Sequence, residues 1–337
     1  MKKRRKATHT TVARPRAKRA PHAAKAPRKA PGKDLAKAPS NDQALGSGWR
    51  ALRSGKIVIL EARALASLPW LVHGFSTRPG GESLLGDSRV LNLGSTDWDT
   101  PQAPEANRAA FLRALGAEGA GLAKLRQCHS DVIHRVDRVP AVALQGDALL
   151  AKSPGMLIGV QTADCVPILL ADRRHRAVAA VHAGWRGTLA RIAEKALGRM
   201  KMEFNTRADD VVAALGPSIG GCCYEVGPEV AQAFAGQFPD ARAWFEGPFD
   251  ALASGDDPAP FPWLSMTPPG HQAPEPRVRL DLRAANRSQL EAAGVPAAQI
   301  AVSTLCTACR TDLLFSHRRE KGKTGRMMAV IGVRSAK

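Results

Sequence analysis

Two imidazoles and a thiol stand out in this chain as groups that could act together. They are His129, Cys165 and His182, separated by 36 and 17 residues. His129 lies in Gln127-Cys128-His129-Ser130, just ahead of the alternating segment Val132 to Val136. Cys165 follows Asp164 in a predicted turn between two apolar runs. His182 ends a third run and enters the glycine-flanked turn Ala183-Gly184-Trp185-Arg186-Gly187. Neutral imidazole and thiolate suit zinc, and three protein ligands leave a fourth position open for water. Zinc lowers the pKa of such a water towards ~7. The same residues also allow a Cys165 nucleophile with His182 as its base. Spacing alone leaves both readings open.

Five further cysteines are Cys128, within the His129 segment, and Cys222, Cys223, Cys306 and Cys309. A chain of 337 residues with no apolar leader after its basic start Lys2 to Lys6 is expected to keep its thiols reduced. Cys306-Thr-Ala-Cys309 is a lone CxxC pair with no second pair at zinc-ribbon spacing, and a structural or incidental role is expected. Cys222-Cys223 follows Gly220-Gly221; in an extended backbone one thiol would be buried and the other would face a cleft.

The elements that must hold these groups are partly visible. Met156 to Thr162, Val166 to Leu170 and Ala177 to Val181 are short runs rich in Val, Ile and Leu, and read as three successive strands. In one sheet they would bring the turn at Cys165 beside His182. Residues 188–200 place Leu189, Ile192, Ala193, Ala196, Leu197 and Met200 on one helical face, with Thr188 as N-cap. Pro228 suits a first helical turn, and Asp281 can cap a helix running to Gly294. Met327 to Val333 reads as a last strand. Because several strands follow one another directly, a simple doubly wound sheet is not expected.

Charge and composition bound the rest. The chain carries 49 Lys+Arg against 30 Asp+Glu, a net charge of +19. Residues 1–40 hold 14 of those bases and one acid, Asp34, so most of the excess sits in the first eighth. The Lys/Arg/Ala/Pro-rich tail 1–50 is expected to be disordered, with at most a weak, salt-sensitive polyanion contact. The fold is expected to start near Lys56 and run to 335, interrupted by a Pro-rich insertion at 246–278 anchored through Phe261 and Trp263. No run approaches the ~20 apolar residues of a membrane span.

Longer motifs surround the three candidate ligands. They are Gly159-Val-Gln-Thr-Ala-Asp-Cys165-Val-Pro-Ile, Ala180-Val-His182-Ala-Gly-Trp-Arg-Gly187 and Leu215-Gly-Pro-Ser-Ile-Gly-Gly-Cys-Cys-Tyr-Glu-Val226. Supporting matches are His73-Gly-Phe-Ser-Thr-Arg78, Leu91-Asn92-Leu-Gly94, Asn107-Arg108, Asp147-Ala-Leu149, Phe315-Ser-His-Arg-Arg319 and Thr324-Gly-Arg326. Together they resemble the YfiH, or laccase-domain, family over roughly residues 56–335. The chain departs from the usual pattern at Ser130, where Gly is common, and at His317, where Tyr is common.

The resemblance implies a single α+β domain of packed mixed sheets with helices outside. It also implies a purine nucleoside phosphorylase acting on adenosine, inosine, guanosine or methylthioadenosine, with adenosine deaminase activity. The metal ligands it implies are His129, Cys165 and His182, the set reached from their chemistry. For deamination, Asp164 is the nearest carboxylate to move a proton, or it caps its turn. For phosphorolysis, Arg78, Arg186 and Arg326 each lie within two residues of a glycine and carry the planar charge that suits phosphate. Asn92 and Arg108 are further substrate contacts, and Trp185 can stack on a purine. The expected cofactor is zinc, with copper as the alternative, and the expected partners are nucleosides and phosphate. A cytoplasmic monomer without membrane or stable nucleic-acid contacts is expected. A copper-dependent laccase-type polyphenol oxidase is the first alternative. The nine histidines, of which His9, His22 and His271 lie in the tail or insertion, form no paired His-x-His motif for it. A Cys165/His182 hydrolase is the second.

Overall fold

The computed structural model describes residues 45–253 and 277–335. Most of the basic tail, and the anchors Phe261 and Trp263 of the Pro-rich segment, lie outside the described residues. Leu45 and Trp49 are buried, and the first strand is Trp49–Ser54, one strand earlier than the Ile57 run.

Two six-stranded sheets carry the fold. The first runs Trp49–Ser54, Ile57–Ala62, Leu71–Ser76, Met327–Val333, Met156–Thr162, Gly121–Lys124, antiparallel except for its last pair. The second runs Ile300–Val302, Val211–Leu215, Val166–Asp172, Val178–Ala183, Ala148–Ala151, Ile133–Arg135, with a parallel pair at each edge. Strand side chains alternate between faces, so a strand that is apolar throughout has both faces covered. Met327, Ala329 and Ile331 join Leu169, Ala171, Val178 and Ala180 in the core between the sheets. Met328 and Val330 turn the other way, towards Phe111 and Leu115 at the end of helix Ala103–Ala114. Ile168 and Leu170 likewise face helices Ile192–Phe204, Pro228–Gln237 and Leu282–Ala292. The order is helix, sheet, sheet, helices.

Several expectations hold at residue level. Pro228 opens its helix, and Asp281 caps the next by accepting from the Arg283 and Ala284 amides at 2.9 and 3.2 Å. Two do not. Met156–Thr162 belongs to the first sheet and Val166–Asp172 to the second, so the three runs do not share a sheet. Residues 163–165 instead carry the chain across the sandwich. The helix expected at 188–200 is two, Trp185–Leu189 and Ile192–Phe204, broken at Arg191, whose φ of 59° is left-handed. Thr188 caps neither. Its buried hydroxyl accepts from Asn286 Nδ2 at 2.8 Å.

His73 lies in the first sheet, 2% exposed, with Nε2 accepting the Ala62 amide at 3.1 Å. Burial, helped by the charge of Arg50, lowers its pKa to about 3. An unfolded histidine takes up its proton near pH ~6.5 while the folded one stays neutral, so stability falls as pH drops from there towards ~3. Urea unfolding should show a loss approaching ~1.4 kcal/mol per pH unit in this window. In His73→Gln, which keeps an acceptor but cannot titrate, that contribution should vanish; an unchanged slope would mean His73 is not its source.

Candidate active site

Cys165 and His182 meet because Val166–Asp172 and Val178–Ala183 pair as an antiparallel hairpin, with Val166 opposite Ala183 and Pro167 opposite His182. His129 arrives from the loop between Gly121–Lys124 and Ile133–Arg135, with a left-handed φ of 60°. The ligand atoms of His129, Cys165 and His182 lie within 4.8 Å of one another, and Cys165 Sγ stands 3.8 Å from His129 Nε2. A tetrahedral zinc site with these donor types separates its ligand atoms by about 3.5 Å, so the set fits such a cation with little adjustment. The adjoining backbone fits it too. A Cβ on Gly184 would stand 3.0 Å from both Cys165 Sγ and His129 Cδ2, so only glycine leaves the cluster room.

One carboxylate organises this cluster. Asp147, fully buried, accepts His182 Nδ1 at 2.8 Å, the Ser130 amide and hydroxyl at 2.7 Å each, and the His129 and Cys128 amides. It thereby fixes the tautomer of His182, turns Nε2 towards Cys165, and holds the His129 loop in place. Burial pushes the Asp147 carboxyl up, but the His182 imidazole and the Ser130 donors outweigh it and hold the group far below the usual carboxylate range. Ser130 therefore adds a hydroxyl donor that glycine would lack.

Cys165 and His182 also shape each other. Burial raises a thiol, yet the two imidazoles bring Cys165 down to about 6. Burial lowers an imidazole, yet Cys165 and Asp147 lift His182 to about 9. Both shifts favour the thiolate and imidazolium forms of the pair. Metal binding must displace the imidazolium proton, while the thiolate is already in ligand form.

The cluster opens into a cavity of about 720 Å³. Trp185 and Tyr224 give it flat apolar faces, and Arg186 lies over the Trp185 ring at 4.3 Å. Arg108, Lys124, Arg126 and Arg326 also line it. Two of these converge through Leu93, whose carbonyl accepts Arg108 Nη1 at 3.1 Å and whose amide donates to the Arg326 carbonyl at 3.0 Å. Lys124 is close enough to Arg108 for its pKa to be lowered, by burial first and by that charge second. Arg108, Lys124 and Arg326 form no ion pair among the described residues. Burial lowers the pKa of Arg108 and Arg326 as well.

Of the residues singled out from sequence, His129, Cys165, His182, Asp164, Arg186, Arg326 and Arg108 line this cavity. Asp164 does so with both oxygens engaged: Oδ1 accepts Thr307 Oγ1 at 2.6 Å and Oδ2 the Arg318 amide at 2.7 Å. Its φ of 94° is unusual for a non-glycine residue. Arg78 and Asn92 are not brought to the wall. Arg78 pairs with Glu320 at 2.6 Å and lies over Phe315. Asn92 spends its side chain on Gly94, Thr96, Asp99 and the Arg326 amide. The glycines near Arg78 serve packing: a Cβ on Gly81 would meet Asn107 Oδ1 at 2.6 Å and the Val90 carbonyl at 2.7 Å. Lys124, Arg126, Tyr224 and the organising role of Asp147 were not read from sequence. Asp147 had left a signal in the motif Asp147-Ala-Leu149, and Tyr224 in the motif ending at Val226; Lys124 and Arg126 had left none.

Comparison with known proteins agrees with this architecture. Residues 72–334 match the family described as multi-copper polyphenol oxidoreductase laccase. A purine nucleoside phosphorylase of Deinococcus radiodurans is 37% identical over 262 residues, covering 77% of this chain and 88% of the relative. Adenosine deaminase RL5, from an unknown prokaryotic organism, is 40% identical over 228 residues, 65% of this chain and 78% of that one. The crystal structure of YlmD from Geobacillus stearothermophilus superposes with a TM-score of 0.68 at 32% identity, covering 84% of this chain and 98% of that one. Motifs, sandwich topology and matched length lead to one assignment: the chain belongs to the YfiH, or laccase-domain, family.

Proposed function

We propose that the protein is a zinc-dependent purine nucleoside phosphorylase that also deaminates adenosine. The observation that carries this reading is the juxtaposition, in one cavity, of a His/Cys/His cluster with the partly buried cations Arg108, Lys124 and Arg326, which have no ion-pair partner among the described residues. His129, Cys165 and His182 would hold the metal, which supplies an acidified water and a Lewis-acid position. Cationic groups with no carboxylate at ion-pair distance suit a phosphate dianion, and Arg108, Lys124 and Arg326 offer it both planar and point charges. Trp185 and Tyr224 suit the faces of a purine.

In phosphorolysis a phosphate oxygen forms the bond to C1′ as the bond from C1′ to the purine nitrogen breaks, and the base leaves with a proton. The cation wall positions the phosphate and neutralises charge as it redistributes. In deamination the oxygen of water replaces the amino group at C6 and ammonia leaves. Asp164 is the proposed proton carrier there, acting through the oxygen that now accepts the Thr307 hydroxyl. Arg186, over Trp185, would fix the orientation of that ring against the base.

The test is adenosine with and without phosphate, with products separated chromatographically. Inosine is expected without phosphate, and adenine with ribose 1-phosphate in its presence. Lys124→Met and Arg326→Met should weaken phosphate use by about 10–100-fold, the worth of a charge-assisted hydrogen bond, while leaving deamination nearly intact. Equal loss of both reactions would argue against a phosphate site on that wall. A His₂Cys set also suits copper, and the family description favours testing it. Copper-dependent oxidation of phenols with no nucleoside product would replace the present reading with the oxidoreductase one.

A further inference from the structure

Away from the cavity cluster, Cys222, Cys223, Cys306 and Cys309 place four sulfur atoms within 4.8 Å of one another. The Sγ–Sγ distances are 3.7 Å for Cys222–Cys223, 3.7 Å for Cys222–Cys309 and 3.4 Å for Cys223–Cys309. A tetrahedral zinc with four thiolates at about 2.3 Å requires sulfur atoms about 3.8 Å apart. A disulfide requires about 2.05 Å. The spacing matches the first, and it repeats over three pairs, which no single disulfide can produce.

The backbone explains how neighbouring cysteines face one point. Residues 221–223 form a turn in which the Cys223 and Tyr224 amides both donate to the Gly220 carbonyl, at 2.9 and 3.0 Å. An extended segment would have split the two thiols; the turn gathers them. On the opposite strand of chain, Cys306 Sγ accepts the Gly220 amide at 3.2 Å, and the Cys309 amide also donates to it. Amide donors to sulfur are what a cluster of thiolates needs to offset its charge. A Cβ on Gly220 would stand 2.7 Å from the Arg283 guanidinium and 3.3 Å from Cys222 Sγ, so a side chain there would press on the cluster.

We infer that these four cysteines form a second, structural metal site that takes a thiophilic divalent cation, zinc, and staples the loop after Val211–Leu215 to the segment after Ile300–Val302. The loops need such a staple. Their apolar contact is a small cluster of Ile219, Cys306 and Ala308, joined by Cys223 and Tyr224. What they carry is also functional. One delivers Tyr224 to the cavity wall, and its Ile219 amide donates to the Asp164 carbonyl at 2.8 Å. The other delivers Thr307 to the Asp164 carboxylate. All four ligands come from the protein, so the site is closed to reaction and its role is positional.

Metal content separates this site from the catalytic one. The whole protein should carry two metal ions per chain. His182→Ala should keep one, and Cys222→Ser combined with Cys309→Ser should keep the other. Cobalt(II) added to metal-stripped His182→Ala should give the intense sulfur-to-metal absorption of a tetrathiolate, and the double serine variant should lack it. Cys309→His, still a ligand, should restore binding with an altered spectrum. If the double variant fails to fold, the wild-type and His182→Ala contents decide the matter. A single metal in the wild type that disappears entirely in His182→Ala would overturn the proposal. So would a disulfide among these cysteines in protein alkylated before purification. Neither result depends on which nucleoside reaction is observed.

Discussion

Replacing His182 by alanine should remove the metal of the cavity cluster and lower turnover of adenosine by about 10³-fold or more, with phosphate or without it. The figure follows from the several kcal/mol a catalytic metal contributes, at 1.36 kcal/mol per tenfold. Cys165→Ser should give the same loss, because both residues sit on one hairpin and supply ligands to one point. Metal analysis beside initial rates, with urea unfolding as the control for folding, makes the comparison. A variant that loses the metal and keeps full activity would end the metal-dependent reading. Activity that survives zinc removal but is destroyed by iodoacetamide would transfer the chemistry to the Cys165 thiolate, whose pKa of about 6 already suits a nucleophile.

Asp147→Ala should be nearly as damaging, although Asp147 touches neither substrate nor metal. It would orphan the Ser130 and His129 amides and free the His182 ring, all of which now converge on that carboxylate. Outer partners of metal-bound histidines are commonly worth 10–100-fold in affinity or activity, and each hydrogen bond to a buried charge adds about 1.5–3 kcal/mol of stability. Asp147→Asn separates the two effects. Its remaining oxygen still accepts amides, so stability should be largely retained, but the amide group cannot accept from both His182 and Ser130. Metal affinity measured by chelator competition should therefore fall more than the unfolding free energy. Parallel losses would mean that Asp147 serves only the fold.

The hairpin that joins Cys165 to His182 could be read from sequence because two apolar runs and a short connection admit few alternatives. The sheet that holds Met156–Thr162 could not. A strand buried on both faces has no alternation, and nothing in Ala163-Asp164-Cys165 announces a crossing between sheets. Thr188 looked like a cap because threonine before an apolar periodicity usually is one. Its use by Asn286, nearly a hundred residues later, is a tertiary fact. The His129, Cys165 and His182 cluster was legible since few residue types make up such a donor set. The cation wall was legible only in part: Arg108 and Arg326 stood in recognisable motifs, but Lys124 and Arg126 did not, because lysine and arginine are common and only folding strips them of water. Glycines beside arginines misled at Arg78 for a related reason: a close approach was needed, but by Asn107 and the backbone rather than a ligand.

The strand Met327–Val333 lies in the middle of the first sheet, between Leu71–Ser76 and Met156–Thr162. It is also the last of the six to be translated. Until it emerges from the ribosome, its two neighbours have no common partner, and each presents an apolar, unpaired edge. Arg326, immediately before it, is absent from the cavity wall for the same interval. The first sheet and the group of cations around Leu93 are therefore completed together, when the single segment Arg326 to Val333 folds into place.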